Sequence, residues 1–186
     1  EISEDSSQFT FTLREDVTFS DGTKFNATSV KNNFDRIVKL GALAYIGASH
    51  LRGYKETVVE SEYMARVVFD GPNAQFLQAA TTQTLSMLAD ATLKLKPEDV
   101  ARGKVIGSGP FLLDKYEAGK SIVLTRRQGY AWGSPLYTNK KEAPFEKVTV
   151  QFIPDATTMA GAVSSGQVDF AFQLDSATLK TLGGKV

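Results

Sequence analysis

Cysteine is absent from the 186 residues, which excludes disulfides, thiolate metal sites and a cysteine nucleophile. That absence leaves the compartment open, since many exported proteins also lack cysteine. Histidine occurs once, at His50, so a paired-histidine zinc motif is impossible and a serine hydrolase would have one candidate base. An excess of either charge is missing too, because 21 basic and 21 acidic side chains cancel. A nucleic-acid binder needs surplus cations to neutralise phosphates, so nucleic acid is excluded as a partner. No apolar run approaches the roughly 18 residues of a membrane span. The start at Glu1 has neither a basic n-region nor an apolar h-region, so no signal peptide is read there. A short polar stretch leads at once into a strand pattern, as expected of an interior piece of a longer chain.

What is present belongs to a folded globular chain, 42% hydrophobic and 23% charged. Phe9, Phe11 and Leu13 alternate with Thr10 and Thr12, the period of a half-buried strand. Ser20-Asp21-Gly22-Thr23 supplies a turn, and Asn26 stands where a helix N-cap belongs. Val30, Phe34, Ile37 and Val38 then mark one face of a helix that runs to about Leu40 and stops at Gly41. Residues 42–52 read as a short helix or a loop. Residues 55–60 and 63–69 form a hairpin pattern, and Gly71-Pro72-Asn73 breaks the chain and is expected to cap a short helix over 74–80. Pro97, Glu98 and Asp99 open another short helix.

Gly107-Ser108-Gly109-Pro110 is the strongest break, and it divides the chain into 1–106 and 107–186. Beyond it, residues 111–116 and 121–126 read as a second hairpin and 128–144 as an ordered loop. A strand over 147–153, a helix from Pro154-Asp155 to about Val163 and a strand over 168–172 give a βαβ pattern, with a parallel crossover expected. The fold class is therefore α/β in the mixed α+β sense.

No catalytic constellation assembles. Gly47-Ala48-Ser49-His50 lacks the nucleophile-elbow spacing, and His50 reads as a satisfied surface or loop histidine. Gly107-Ser108-Gly109 is not followed by a phosphate-loop Lys-Ser/Thr, and Pro110 removes a needed amide. Asn26-Ala27-Thr28 matches a glycosylation sequon, but Asn26 is accounted for as a cap. Acidic pairs such as Glu15-Asp16 and Glu98-Asp99 read as solvated surface or helix starts. No metal or cofactor is called for. Phe9, Phe11, Phe34, Phe69, Phe111, Phe152 and Phe170 fall on the buried faces of their elements and are assigned to the core. Tyr45, Tyr130, Trp132 and Tyr137 lie in loops, where a ring can pack or face a ligand, with packing preferred for Trp132.

The order of motifs resembles one family. Phe9-Thr10-Phe11-Thr12-Leu13-Arg14 followed by Phe19-Ser20-Asp21-Gly22-Thr23-Lys24-Phe25-Asn26-Ala27 and Val30 is similar to its F-T-L-R…F-S-D-G-x-x-F-x-A-x-x-V signature. Val67-Val68-Phe69, Pro72 and Phe76-Leu77 continue it, and Gly107-Ser108-Gly109-Pro110-Phe111 resembles a G-T-G-P-F crossing. Phe152-Ile153-Pro154-Asp155-Ala156-Thr157-Thr158 and Ser165-Gly166-Gln167-Val168-Asp169 complete the series. On these motifs the chain resembles the bacterial extracellular solute-binding proteins of oligopeptide, dipeptide and nickel ABC importers. It departs in the Arg-Asn-Pro-x-Tyr-Trp region, where Arg126-Arg127-Gln128-Gly129-Tyr130-Ala131-Trp132 has an extra residue.

The resemblance implies a periplasmic-binding-protein-like fold of the large three-domain type, only part of it present. Residues 1–106 would be the family-specific domain and 107–186 part of the main α/β lobe, with the closing lobe missing. It further implies capture of a small solute, of peptide class, outside the membrane and delivery to ABC permease subunits. The location would be periplasmic or extracellular, with a cell-surface anchor outside this piece, and the state monomeric. Ligand contacts are expected after the first long helix, over 42–46, and after Phe76-Leu77, over 81–86. Within those segments Tyr45, Thr82 and Thr84 are the candidate ligand-binding residues. The competing reading is an enzyme or surface interaction module that reuses the fold. It should place acids or histidines in those two segments, and they contain none.

Overall fold

A computed structural model of the chain describes residues 1–181. β1 (Gln8–Thr12), β2 (Tyr54–Ser61) and β3 (Met64–Phe69) form an antiparallel sheet in the order β1-β3-β2. The alternation seen in the sequence sets its register, with Phe9 opposite Val67 and Phe11 opposite Ala65. Ala65, Val67 and Phe69 thereby share one buried face. α1 (Ala27–Leu40) covers that face with Val30 and Phe34, and α3 (Phe76–Ala80) inserts Phe76 into the middle. The Phe76 ring meets Phe9 and Phe69 at 4.9 Å each and Phe34 at 5.9 Å, all edge-on, as ring quadrupoles prefer.

Helix α1 starts where Asn26 places it. The Asn26 side chain accepts from the Ser29 amide at 3.1 Å, and the Ser29 hydroxyl accepts from the Asn26 amide at 3.3 Å. This reciprocal box satisfies two otherwise orphaned donors. Gly41, at φ 52°, ends the helix, a conformation that a Cβ would strain.

Past short helices α4 (Asp90–Leu93) and α5 (Pro97–Ala101), a second antiparallel sheet runs β4-β5-β6. Its strands are Phe111–Glu117, Ser121–Arg126 and Lys147–Gln151. α6 (Ala156–Ser164) and α7 (Ser176–Thr181) follow. The expected strand over 168–172 does not form, so the βαβ crossover is not present among the described residues. The sheet holding β6 pairs it with β5 only, and extended chain without a strand neighbour has no ladder to join. Two core assignments fail with it. Phe170 is 69% exposed and Phe152 42%; Phe170 packs edge-on against Phe172 at 4.7 Å instead of entering a core. Phe111 is half-buried.

Arg127 and Trp132 join the two sheets. The buried Arg127 guanidinium donates to the Thr18 and Phe19 carbonyls at 2.8 and 2.6 Å and to the Thr18 hydroxyl at 2.8 Å. It also lies 4.7 Å from the Trp132 ring centre, a cation–π arrangement. The Trp132 indole N–H donates to the Ser108 carbonyl at 2.8 Å, so this ring packs as its loop position suggested. The Ser20 amide donates to the Gly107 carbonyl at 2.9 Å beside it.

Candidate functional site

The segment after α1 was read as either helix or loop; it is a 3₁₀ turn, Gly41–Ala44, followed by α2 (Tyr45–His50). Gly47 lets α2 settle. A Cβ there would lie 3.0 Å from the Thr84 carbonyl oxygen and 3.1 Å from Ile37 Cγ2. The missing side chain thus brings α2 against the 3₁₀ turn Gln83–Leu85 and against α1. Leu51 is then buried beneath, and Gly53, at φ 76°, swings the chain into β2. On the other side, Asn73 reaches back from the Gly71-Pro72-Asn73 turn and donates to the His50 carbonyl at 3.4 Å.

Between these elements lies an open groove of about 510 Å³. His50 and Arg52 line one side of it, and Asn73, Gln75, Gln78 and Thr82 the other. No acidic side chain lines it, and Arg52 forms no ion pair among the described residues. The groove therefore offers one exposed cation, an imidazole and three amides. With the Ser49 and Thr82 hydroxyls, such a set suits a polar or anionic small molecule.

Of the three residues expected from sequence, Thr82 and Thr84 come together and Tyr45 stands apart. The two threonine hydroxyls are 2.7 Å apart, and Thr84 Oγ1 lies 3.1 Å from His50 Nδ1. Thr82 lines the groove and Thr84 supports it from behind. Tyr45, at the start of α2, is 75% exposed and does not line the groove. It sits in an apolar exposed run with Leu43 and Ile46. His50 has the hydrogen-bond partner expected of a satisfied histidine and in addition lines the groove, a position that its immediate sequence, like that of Arg52, Asn73 and Gln78, does not signal. The signal that bears on them is Gly47 within the apolar run 41–48, a residue whose missing side chain permits a close helix contact.

Catalytic geometry does not arise around His50. The Ser49 hydroxyl donates to the Ile46 carbonyl at 2.7 Å rather than to the imidazole. No group of His, Cys, Asp and Glu side chains among the described residues could hold a metal ion, and no helix among them is long and apolar enough to cross a membrane. Tyr54 is the most perturbed titrating group, its phenol pushed well up by burial. It donates to Asp35 at 2.7 Å and lies 2.9 Å from the Thr57 hydroxyl. That network sits between α1 and β2 and holds the sheet to its helix.

Comparison with known proteins extends these observations. A family model described as "Bacterial extracellular solute-binding proteins, family 5 Middle" matches residues 1–185. The probable D,D-dipeptide-binding periplasmic protein DdpA of Escherichia coli K12 is 29% identical over 97% of this chain and 34% of its own. The glutathione-binding protein GsiB of the same organism is 27% identical over 96% of this chain and 33% of its own. Among solved structures, NikA from Brucella suis in complex with Fe(III)-EDTA superposes with a TM-score of 0.73 at 30% identity. That alignment covers 90% of this chain and 32% of the solved one. The chain thus spans about a third of the length of the relatives it matches.

Proposed function

This chain belongs to the bacterial extracellular solute-binding proteins of family 5, and from that premise we propose that it is part of the receptor subunit of an ABC importer. In this reading the complete protein captures a small solute of peptide class outside the membrane and hands it to permease subunits. It performs no chemistry on the solute. The observation that carries the reading is the family match over 1–185, reached independently through five motifs in their expected order. The names of DdpA and GsiB, a D,D-dipeptide binder and a glutathione binder, favour a peptide-like solute with free carboxylates. A periplasmic or cell-surface location, an anchor outside these residues and a monomeric receptor belong to the same proposal.

Residues 1–106 serve as the family-specific domain and 107–186 as part of the main lobe. Tyr45, Thr82 and Thr84 contribute to the solute wall; the groove that Thr82 lines supports the threonines, and Tyr45 would meet the solute outside that groove, from its exposed place at the start of α2. High affinity in a two-lobed receptor comes from burying the solute between lobes and removing its water. One wall leaves roughly half the solute wet, so these residues alone bind at about millimolar strength or weaker, near −4 kcal/mol.

The test is to express the longest chain that contains this segment, denature it, and identify by mass spectrometry what it retained. A retained peptide or peptide-like acid supports the proposal. Calorimetry of the 186-residue segment with that solute completes it, and a micromolar dissociation constant would show that the segment carries most of the site by itself.

A further inference from the structure

The hydrogen bonds behind the groove form a chain with a direction. Thr82 Oγ1 lies 2.7 Å from the Ala79 carbonyl, to which it can only donate. A hydroxyl has one proton, so in its contact with Thr84, at 2.7 Å, Thr82 is the acceptor and Thr84 the donor. Thr84 has then spent its own proton, and it can only accept from His50 Nδ1, 3.1 Å away. The network assigns the neutral imidazole its proton on Nδ1 and leaves the Nε2 lone pair unused. No hydrogen bond to His50 Nε2 exists among the described residues, and His50 lines the groove. Arg52, two positions along, lines the same groove and has no acidic partner among the described residues.

We propose that His50 is a specificity-determining residue, an acceptor held ready by the Ala79–Thr82–Thr84 chain, which with Arg52 reads a carboxylate beside an amide N–H. The carboxylate answers the guanidinium, and the N–H answers Nε2. A peptide C-terminus carries both groups within one residue, whereas a simple carboxylate or a cation carries one. This assignment rests on the receptor reading above and sharpens its substrate class, and it accounts for the only histidine in the chain.

A single histidine makes the test direct, because a ¹⁵N-histidine-labelled sample has one imidazole to observe. At a pH where the ring is neutral, long-range ¹H–¹⁵N spectra of the 186-residue chain should show the proton on Nδ1. Thr84→Val removes the acceptor and should move the population toward the Nε2–H form usual in water. L-alanyl-L-alanine at tens of millimolar, above the roughly millimolar affinity expected of one wall, should shift Nε2, and acetate at the same concentration should not. His50→Gln, which can keep an acceptor near Nε2, should hold alanyl-alanine affinity within about twofold, and His50→Leu should weaken it roughly fivefold. A wild-type ring with its proton on Nε2 overturns the assignment, and does so whether or not the complete protein retains a solute. An Nδ1–H ring whose Nε2 ignores alanyl-alanine, or responds equally to acetate, overturns the reading of a carboxylate beside an N–H. Failure of the receptor proposal would appear separately, as a complete protein that carries no solute while the tautomer is as assigned.

Discussion

The two sheets have similar size and opposite economy of burial. The first keeps Phe9, Phe34, Phe69 and Phe76 at most 4% exposed in one continuous cluster. The second has three strands as well, yet beyond residue 110 the buried hydrophobic residues are Ala160 and Ala162 among those described. The large apolar side chains on its strands reach partial burial at most, and the rings in the flanking chain are exposed, Phe145 at 67%, Phe170 at 69% and Phe172 at 73%. Strand pairing alone therefore does not make a core. The first sheet has one because α1 and α3 supply a second layer at the right spacing. The second sheet has its ladder of hydrogen bonds and lacks a facing layer among the described residues.

Truncating the same ring on each side would sharpen this contrast most. Phe76→Ala should cost about 4 kcal/mol, since it empties the centre of the aromatic cluster, while Phe172→Ala should stay within about 0.5 kcal/mol. Denaturation midpoints of the two variants measure both, and equal losses would break the comparison. Next in size is the joint between the sheets. Arg127→Ala leaves the Thr18 and Phe19 carbonyls without their charged donor and should cost about 3 kcal/mol. It should also separate unfolding into two transitions, seen by calorimetry. Arg127→Lys keeps the charge but not the planar fork, so it should recover only part of the loss.

Smaller effects distinguish the caps of α1 and α6. Asn26→Ala should lower stability by about 1 kcal/mol at any pH, because an amide cap does not titrate; equal midpoints for variant and parent would argue against the cap. Asp155 caps α6 through its carboxylate, which accepts from the Thr158 hydroxyl and amide at 2.7 Å each. The hydroxyl bond first, then the amide bond, holds its pKa below the usual carboxylate range. A depressed folded-state pKa means that the contribution is complete above the unfolded value and lost as pH falls through the folded one. Amide exchange at Thr158 should therefore rise in acid relative to its intrinsic rate, while protection at Ser29 persists.

Much of the first sheet was legible because its signals are local. The Phe9, Phe11, Leu13 alternation, the Asn26 cap and the Gly41 stop each act within a few residues, and each element lies close to where those signals put it. The strand over 168–172 was misread for the complementary reason. Val168, Phe170 and Phe172 carry strand propensity, but a strand exists only beside a partner, and pairing is a property of distant residues. The site divides in the same way. Thr82 and Thr84 stand in a segment that sequence could name, whereas His50 reaches them only through the close approach of α2 at Gly47. Nothing in the residues flanking His50 reports that approach.

The Arg127 joint carries a consequence for how freely this region can change its sequence. Two of its three acceptors are the carbonyls of Thr18 and Phe19, groups that no substitution deletes. Thr18 and Ser20 can therefore exchange side chains and the main chain still receive the guanidinium, provided it keeps its path, whereas Val17 and Phe19 are held by their own burial. Tolerance is distributed unevenly across the contact, with latitude at the less buried positions around the oxygens and little on the side that offers the fork. An insertion or a proline that redirects the chain at 17–20 would do more harm than most replacements of Thr18 itself.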